Sequence, residues 1–190
     1  MTYGGIDIIY YIITIGAMLI SGWVGSMLKK RFREYSERPI SLSGAGIAAK
    51  MLQDEGIHDV EIISTPGQLT DHYNPLKKTV NLSDVVYSQR NVAAAAVAAH
   101  EVGHAVQHAR AYGPLKMRSA LVPIVNLSIK FMMWVLMAGL FLAASGHTTL
   151  LLIGVIMFAM TTLFSFITLP VEFDASRRAL VWLDNSRAMG

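Results

Sequence analysis

The chain has 190 residues, of which 53% are hydrophobic and only 15% charged, and its mean hydropathy is positive. A soluble domain carries about one quarter charged residues, so the apolar excess belongs in lipid. A net charge of +3 without basic–aromatic interleaving argues against nucleic acid as a partner, and the lack of cysteine excludes disulfides and thiolate chemistry, leaving histidine and carboxylate as metal ligands.

Ile8 to Leu28 is the first of three stretches long enough to cross a bilayer, which takes about 20 apolar residues. No basic residue precedes it, and Lys29, Lys30, Arg31 and Arg33 follow it. It therefore reads as an uncleaved anchor over residues 6–28, its start outside, rather than as a secretory signal. Arg38-Pro39 marks a break. Ser41 or Ser43 can cap a helix that runs to about Glu55 and ends at Gly56. Asp59 to Ser64 alternates weakly and predicts a strand, followed by a turn at Thr65-Pro66-Gly67. Asp71 to Pro75 is expected to be irregular, with a turn at Asn74-Pro75, and Thr79 to Ser83 alternates as a second strand.

A helix is expected from Ser88–Asn91 to about Ala109, closed by Gly113-Pro114. It contains His100-Glu101-Val102-Gly103-His104, a His-Glu-x-x-His pattern. Positions i and i+4 share one helix face, so both imidazoles reach a single metal ion. Glu101 can touch a water bound to that ion, which is the layout of a zinc peptidase. Residues 92–99 are uncharged strong helix formers, unlike the charged surroundings of a chance surface match. Gly103 costs about 1 kcal/mol against alanine inside a helix, a hint that the site constrains it.

Ser119 to Ala144, with Lys130 inside it, and the uncharged stretch Leu150 to Leu169 form the second and third spans, a hairpin over residues 119–169. All 16 Lys and Arg follow the first span, and none lies in the 145–149 loop. The positive-inside rule then places the N-terminus outside, residues 29–118 in the cytosol, the 145–149 loop outside and residues 170–190 in the cytosol. The stem of Lys130 can snorkel to the cytosolic face. The expected organisation is a small α+β domain at 29–118 between an anchor and a hairpin, with a core thin enough that the membrane helices pack against it.

A catalytic zinc needs three protein ligands and an open position. His108 lies two turns from His100, each turn rising about 5.4 Å, which one ion cannot bridge with bonds of about 2 Å. His147 falls on the far side of the membrane, and His58 has no supporting context. Glu172 directly follows the third span, and the distribution of Lys and Arg returns it to the face that holds His100 and His104.

Asp71 to Pro75, Thr79 to Ser83, Val97 to Ala109 and Leu169-Pro170-Val171-Glu172-Phe173-Asp174-Ala175-Ser176 together resemble the YugP-type neutral zinc metallopeptidases of bacteria, over nearly the whole chain. These are similar to the broader gluzincin group, with its HtpX-type and CAAX prenyl proteases. The resemblance implies a zincin-like domain with three transmembrane helices, Zn2+ as cofactor, peptide or protein substrates, His100, His104 and Glu172 as ligands, and Glu101 as the general base. In HtpX-type proteins an Asp stands four positions after the ligand Glu. Here that position is Ser176 and an acid stands at Asp174, so either Ser176 or Asp174 is expected to support a ligand histidine. The resemblance also implies that Thr79, Val80, Asn81, Leu82 and Ser83 present a sheet edge to an extended substrate, the alternative being an ordinary interior strand. Candidates for holding the oxyanion are His72, Tyr73, Tyr112 and Arg177.

Glu172 lies three residues past a span, so the ion is expected near the cytosolic surface of a bacterial inner membrane. The expected activity is a membrane-anchored zinc endopeptidase that cuts membrane proteins or membrane-near segments, including in quality control. A zinc-binding scaffold or sensor without turnover is the competing expectation. A small metal transporter is a third, weakened because the candidate ligands lie outside the spans.

Overall fold

The computed structural model describes residues 4–186 and 188, with side chains from Ile8 onward. Arg187, Met189 and Gly190, at the end of the expected 170–190 segment, lie outside the described residues. The elements run α1 (Gly4–Ser36), α2 (Gly44–Asp54), β1 (Glu61–Thr65), β2 (His72–Asn74), β3 (Thr79–Ser83), α3 (Asp84–Ser88), α4 (Val92–Ala109), α5 (Gly113–Ala143) and α6 (Thr149–Asn185). The fold is mostly helical with one small sheet, and α1, α5 and α6 are each long and apolar enough to cross a membrane.

α2 begins where Ser43 accepts a hydrogen bond from the Gly46 amide at 3.2 Å, which satisfies one of the unpaired donors of a helix start. It ends before Gly56, whose φ of +70° is the left-handed conformation that glycine adopts at little cost. Both boundaries lie within a residue of the sequence expectation.

The sheet order is β1-β3-β2, with β1 parallel and β2 antiparallel to β3. Thr79 to Ser83 is therefore the central strand and not an edge, correcting the expectation for those residues. All five side chains are buried, and partners sit on both flanks. Its alternation of Val and Leu with Thr, Asn and Ser resembles a half-exposed strand because the polar positions are buried too. Asn81 uses its amide on the His72 carbonyl and on Thr79 Oγ1, and Ser83 pairs with Asp71. The true edges are β1 and β2, the latter formed by residues whose turn signals predict irregular chain.

α4 is the hub. Its alanine-rich faces pack on α2, α3, α6 and the sheet, and Ala94, Ala95, Ala98, Ala99, Val102 and Val106 belong to one core with Ile47, Met51, Val80 and Leu82. Gly113-Pro114 does not close this helix. The chain turns at Ala111, which has a φ of +53°, and Gly113-Pro114 opens α5. Proline lacks an N–H, so the first turn of a helix is where it costs least.

α5 and α6 form the hairpin. A Cβ on Gly139 would meet the Leu151 backbone at 2.6 Å, and one on Gly154 would meet the Leu136 side chain at the same distance. Small residues thus bring the two helices together in the way membrane interfaces favour. α6 does not stop at the end of its apolar run. It passes through Pro170 to Asn185 and lays Val171, Ala175, Ala179, Trp182 and Leu183 into the protein interior. Trp182 Nε1 donates to Asp54 Oδ2 at 3.0 Å, tying its far end to α2.

Asn91 caps α4, its Oδ1 accepting from the Ala94 amide at 2.8 Å while buried. Asn91→Ala is expected to cost about 1 kcal/mol or more, read as a lower denaturation midpoint of the purified protein. An unchanged midpoint would show that the cap adds nothing.

Candidate metal centre

The helical repeat of α4 stacks His100 and His104 on one face, with ring centroids 4.8 Å apart and the rings edge to face. His104 is buried and His100 half-buried. Opposite them, α6 delivers Glu172. One oxygen, Oε2, lies 3.2 Å from His100 Nε2 and 3.4 Å from His104 Nε2. Donors placed 2.0–2.1 Å from a tetrahedral centre stand about 3.3 Å apart, so both carboxylate–histidine distances suit a zinc-sized ion, and all three donor atoms lie within 4.8 Å of one another. Two imidazoles and a carboxylate are also a donor set suited to zinc. Among the described residues this is the one group of three or more such side chains close enough to share an ion.

The approach of α6 depends on Gly103. A Cβ there would sit 2.6 Å from the Ala175 carbonyl oxygen and 3.1 Å from its Cα. The helices therefore touch backbone to backbone one turn from Glu172. The second carboxylate oxygen, Oε1, pairs with Arg118 Nη1 at 3.3 Å. Arg118 lies in the second turn of α5, and sequence reasoning passed over it. Its only signal was a basic residue at the mouth of a span, which topology alone already explains.

The outer faces of both rings are also occupied. Ser176 Oγ lies 3.1 Å from His100 Nδ1. Gln107 Oε1 lies 3.0 Å from His104 Nδ1, and Gln107 Nε2 donates to the Val171 carbonyl at 2.8 Å and to Asp174 Oδ2 at 2.9 Å. Of the two expected supports, then, Ser176 meets a histidine directly and Asp174 does so through Gln107. Gln107, fully buried, was likewise not foreseen.

Glu101 is buried one position from His100, and that burial raises its carboxyl above the ordinary range, partly opposed by His104 and His100. The Glu172 carboxylate holds the His100 imidazole above its usual value.

Three of the four expected oxyanion groups are engaged elsewhere. His72 is exposed, its Nδ1 2.7 Å from the Thr70 carbonyl, and Arg177 is exposed beside Asp174. Tyr73 Oη meets His108 Nδ1 at 2.7 Å, two turns along α4 from His100, and burial pushes its hydroxyl up to about 12. Tyr112, half-buried, precedes α5. Arg118 instead pairs with Glu172, at the oxygen not shared by the two histidines.

Gly103→Ala sets two effects against each other. Helix propensity favours alanine by about 1 kcal/mol, while forcing backbone apart in a packed core costs about 1–3 kcal/mol. Because the clash is with backbone, overpacking is expected to win, and α6 shifts with Glu172. Lower thermal stability together with reduced zinc content is the expected result. A variant more stable than wild type with full zinc content would contradict it.

A family model described as "Putative neutral zinc metallopeptidase" matches residues 10–190. Among curated proteins, the chain is 39% identical over 173 residues to the "Putative membrane protease YugP" of Bacillus subtilis (strain 168), a match covering 90% of this chain and 76% of that protein. No solved structure matches.

Proposed function

Because the chain belongs to the neutral zinc metallopeptidases and to their YugP-type branch, we propose that it is a membrane-anchored endopeptidase of the gluzincin type whose zinc is held by His100, His104 and Glu172. The convergence of one Glu172 oxygen on both Nε2 atoms, with Glu101 buried alongside, is the observation that carries this. Zinc bound there supplies a Lewis acid that polarises a peptide carbonyl and lowers the pKa of a water molecule to about 7. Glu101 takes the proton of the attacking water on its carboxylate and returns it to the amide nitrogen as the C–N bond breaks. Arg118 holds Glu172 Oε1, which keeps Oε2 turned toward the histidines.

β2 is the sheet edge that packs on α4. An extended peptide can add to it by main-chain hydrogen bonds, largely regardless of its sequence. Since Glu172 follows the apolar run of α6 by three residues, substrates are membrane proteins or membrane-near segments, and quality control of such proteins is a role that fits. The distribution of Lys and Arg supports an inner-membrane orientation with the N-terminus outside and the centre in the cytosol.

Glu101→Gln is expected to keep its zinc and to lose about 10²–10⁴-fold in cleavage of an unfolded protein, whereas Glu172→Ala is expected to lose zinc. Full cleavage by Glu101→Gln would favour a zinc-binding scaffold or sensor. Wild-type zinc content in Glu172→Ala would remove that residue from the ligand set.

The lack of cysteine makes the orientation directly testable. Ser145→Cys should react with a membrane-impermeant maleimide in intact spheroplasts, and Lys77→Cys only after lysis. The reverse pattern would invert the assignment.

A further inference from the structure

We propose that Gln107 is a positioning residue that fixes the tautomer of His104, so that Nε2 keeps the lone pair a metal requires. This deepens the zinc site proposed above and rests on it only for its consequence, since the bond itself needs no ion.

The orientation of the Gln107 amide follows from elementary chemistry. Its nitrogen end faces the Val171 carbonyl oxygen at 2.8 Å, and a backbone carbonyl can only accept. Asp174 Oδ2, at 2.9 Å from the same nitrogen and held by Arg178 Nε at 2.6 Å, is a second acceptor. Turning the amide over would set its oxygen against two oxygens in a fully buried position with no water to intervene. Oε1 must therefore face His104 Nδ1, 3.0 Å away. A neutral imidazole carries one N–H and one lone pair. Both ring nitrogens face an acceptor, Gln107 Oε1 at 3.0 Å and Glu172 Oε2 at 3.4 Å, and that carboxylate oxygen is shared with His100 Nε2 at 3.2 Å. The shorter, unshared bond takes the N–H on Nδ1, which leaves the lone pair on Nε2. A ligand histidine ordinarily donates its other N–H to a carboxylate, carbonyl or water. Here an amide oxygen plays that part, held from behind by Val171, Asp174 and Arg178.

His100 is not fixed in the same way. Its Nδ1 meets the Ser176 hydroxyl at 3.1 Å, which can donate or accept and so selects neither tautomer. The two rings thus have unequal support, and residue 107 is the one that discriminates.

The test uses the full chain, 15N-labelled at histidine and stripped of metal, in detergent micelles at alkaline pH where the rings are neutral. Long-range 1H–15N correlation distinguishes the two tautomers, and His104→Asn identifies the His104 signals. Wild type is expected to show His104 protonated on Nδ1. Gln107→Leu is expected to admit the Nε2–H form and to weaken zinc binding about 10–100-fold in chelator competition. Ser176→Ala should leave the His104 pattern unchanged. Wild-type His104 in the Nε2–H form would overturn the inference, as would Gln107→Leu retaining both tautomer and zinc affinity. If Gln107→Leu does not fold, the wild-type spectrum alone decides. A wild type that binds no zinc but shows His104 protonated on Nδ1 would defeat the zinc site and leave the positioning bond standing.

Discussion

The backbone contact between Gly103 on α4 and Ala175 on α6 is the constraint from which the rest of the centre follows. Any side chain at position 103 would hold the helices apart, its Cβ only 2.6 Å from a carbonyl oxygen. With no side chain there, α6 settles deeply enough for Glu172, three residues before the contact, to reach both imidazoles. The helical repeats of the two elements then supply everything else in register. His100 and His104 flank the contact on α4, while Val171, Asp174 and Ser176 surround it on α6. Gln107 and Ser176 meet the outer faces of the rings because of where this crossing sits, without any further feature of the chain.

Burying so many polar groups is tolerable only if each finds a partner. Among the described residues no buried side-chain nitrogen or oxygen lacks a hydrogen-bond partner. The Glu172 carboxylate divides its oxygens between the histidine pair and Arg118, and Gln107 uses both ends of its amide. Such a network leaves little rotational freedom to the groups nearest the proposed ion, which is the preorganisation that hydrolytic sites require.

What could be read from the amino-acid order was whatever depends on short-range periodicity or on lipid. The i, i+4 spacing places the histidines on one face wherever the helix goes, and the apolar lengths and basic residues delimit the spans. The capping of α2 by Ser43 and its end at Gly56 depend on adjacent residues and are equally legible. Misread elements were those settled by distant partners. Thr79 to Ser83 looks half-exposed because its polar side chains are matched by groups from β2 and from Asp71, which strand alternation cannot reveal. β2 exists because β3 pairs with it. Gln107 and Arg118 look like ordinary polar residues near a motif and at a helix mouth, since their significance lies in α6 groups that are 64 and 54 residues further along. How Asp174 bears on His104 becomes visible only once Gln107 is seen to carry the contact from its carboxylate to the ring.

The centre is also mechanically continuous with the hairpin. Glu172 and its neighbours extend the same helix that forms the third apolar span, and Arg118 stands near the start of the helix that forms the second. The hairpin is closely packed at its loop end, where Gly139 meets Leu151 and Gly154 meets Leu136. At the opposite end the Glu172 carboxylate and Arg118 are joined by their ion pair, where α6 docks on α4 through Gly103. Packed interfaces of this kind move between discrete arrangements rather than deforming smoothly. Any displacement of α6 against α4 would consequently change the distances from Glu172 to His100 and His104 together, because one oxygen serves both.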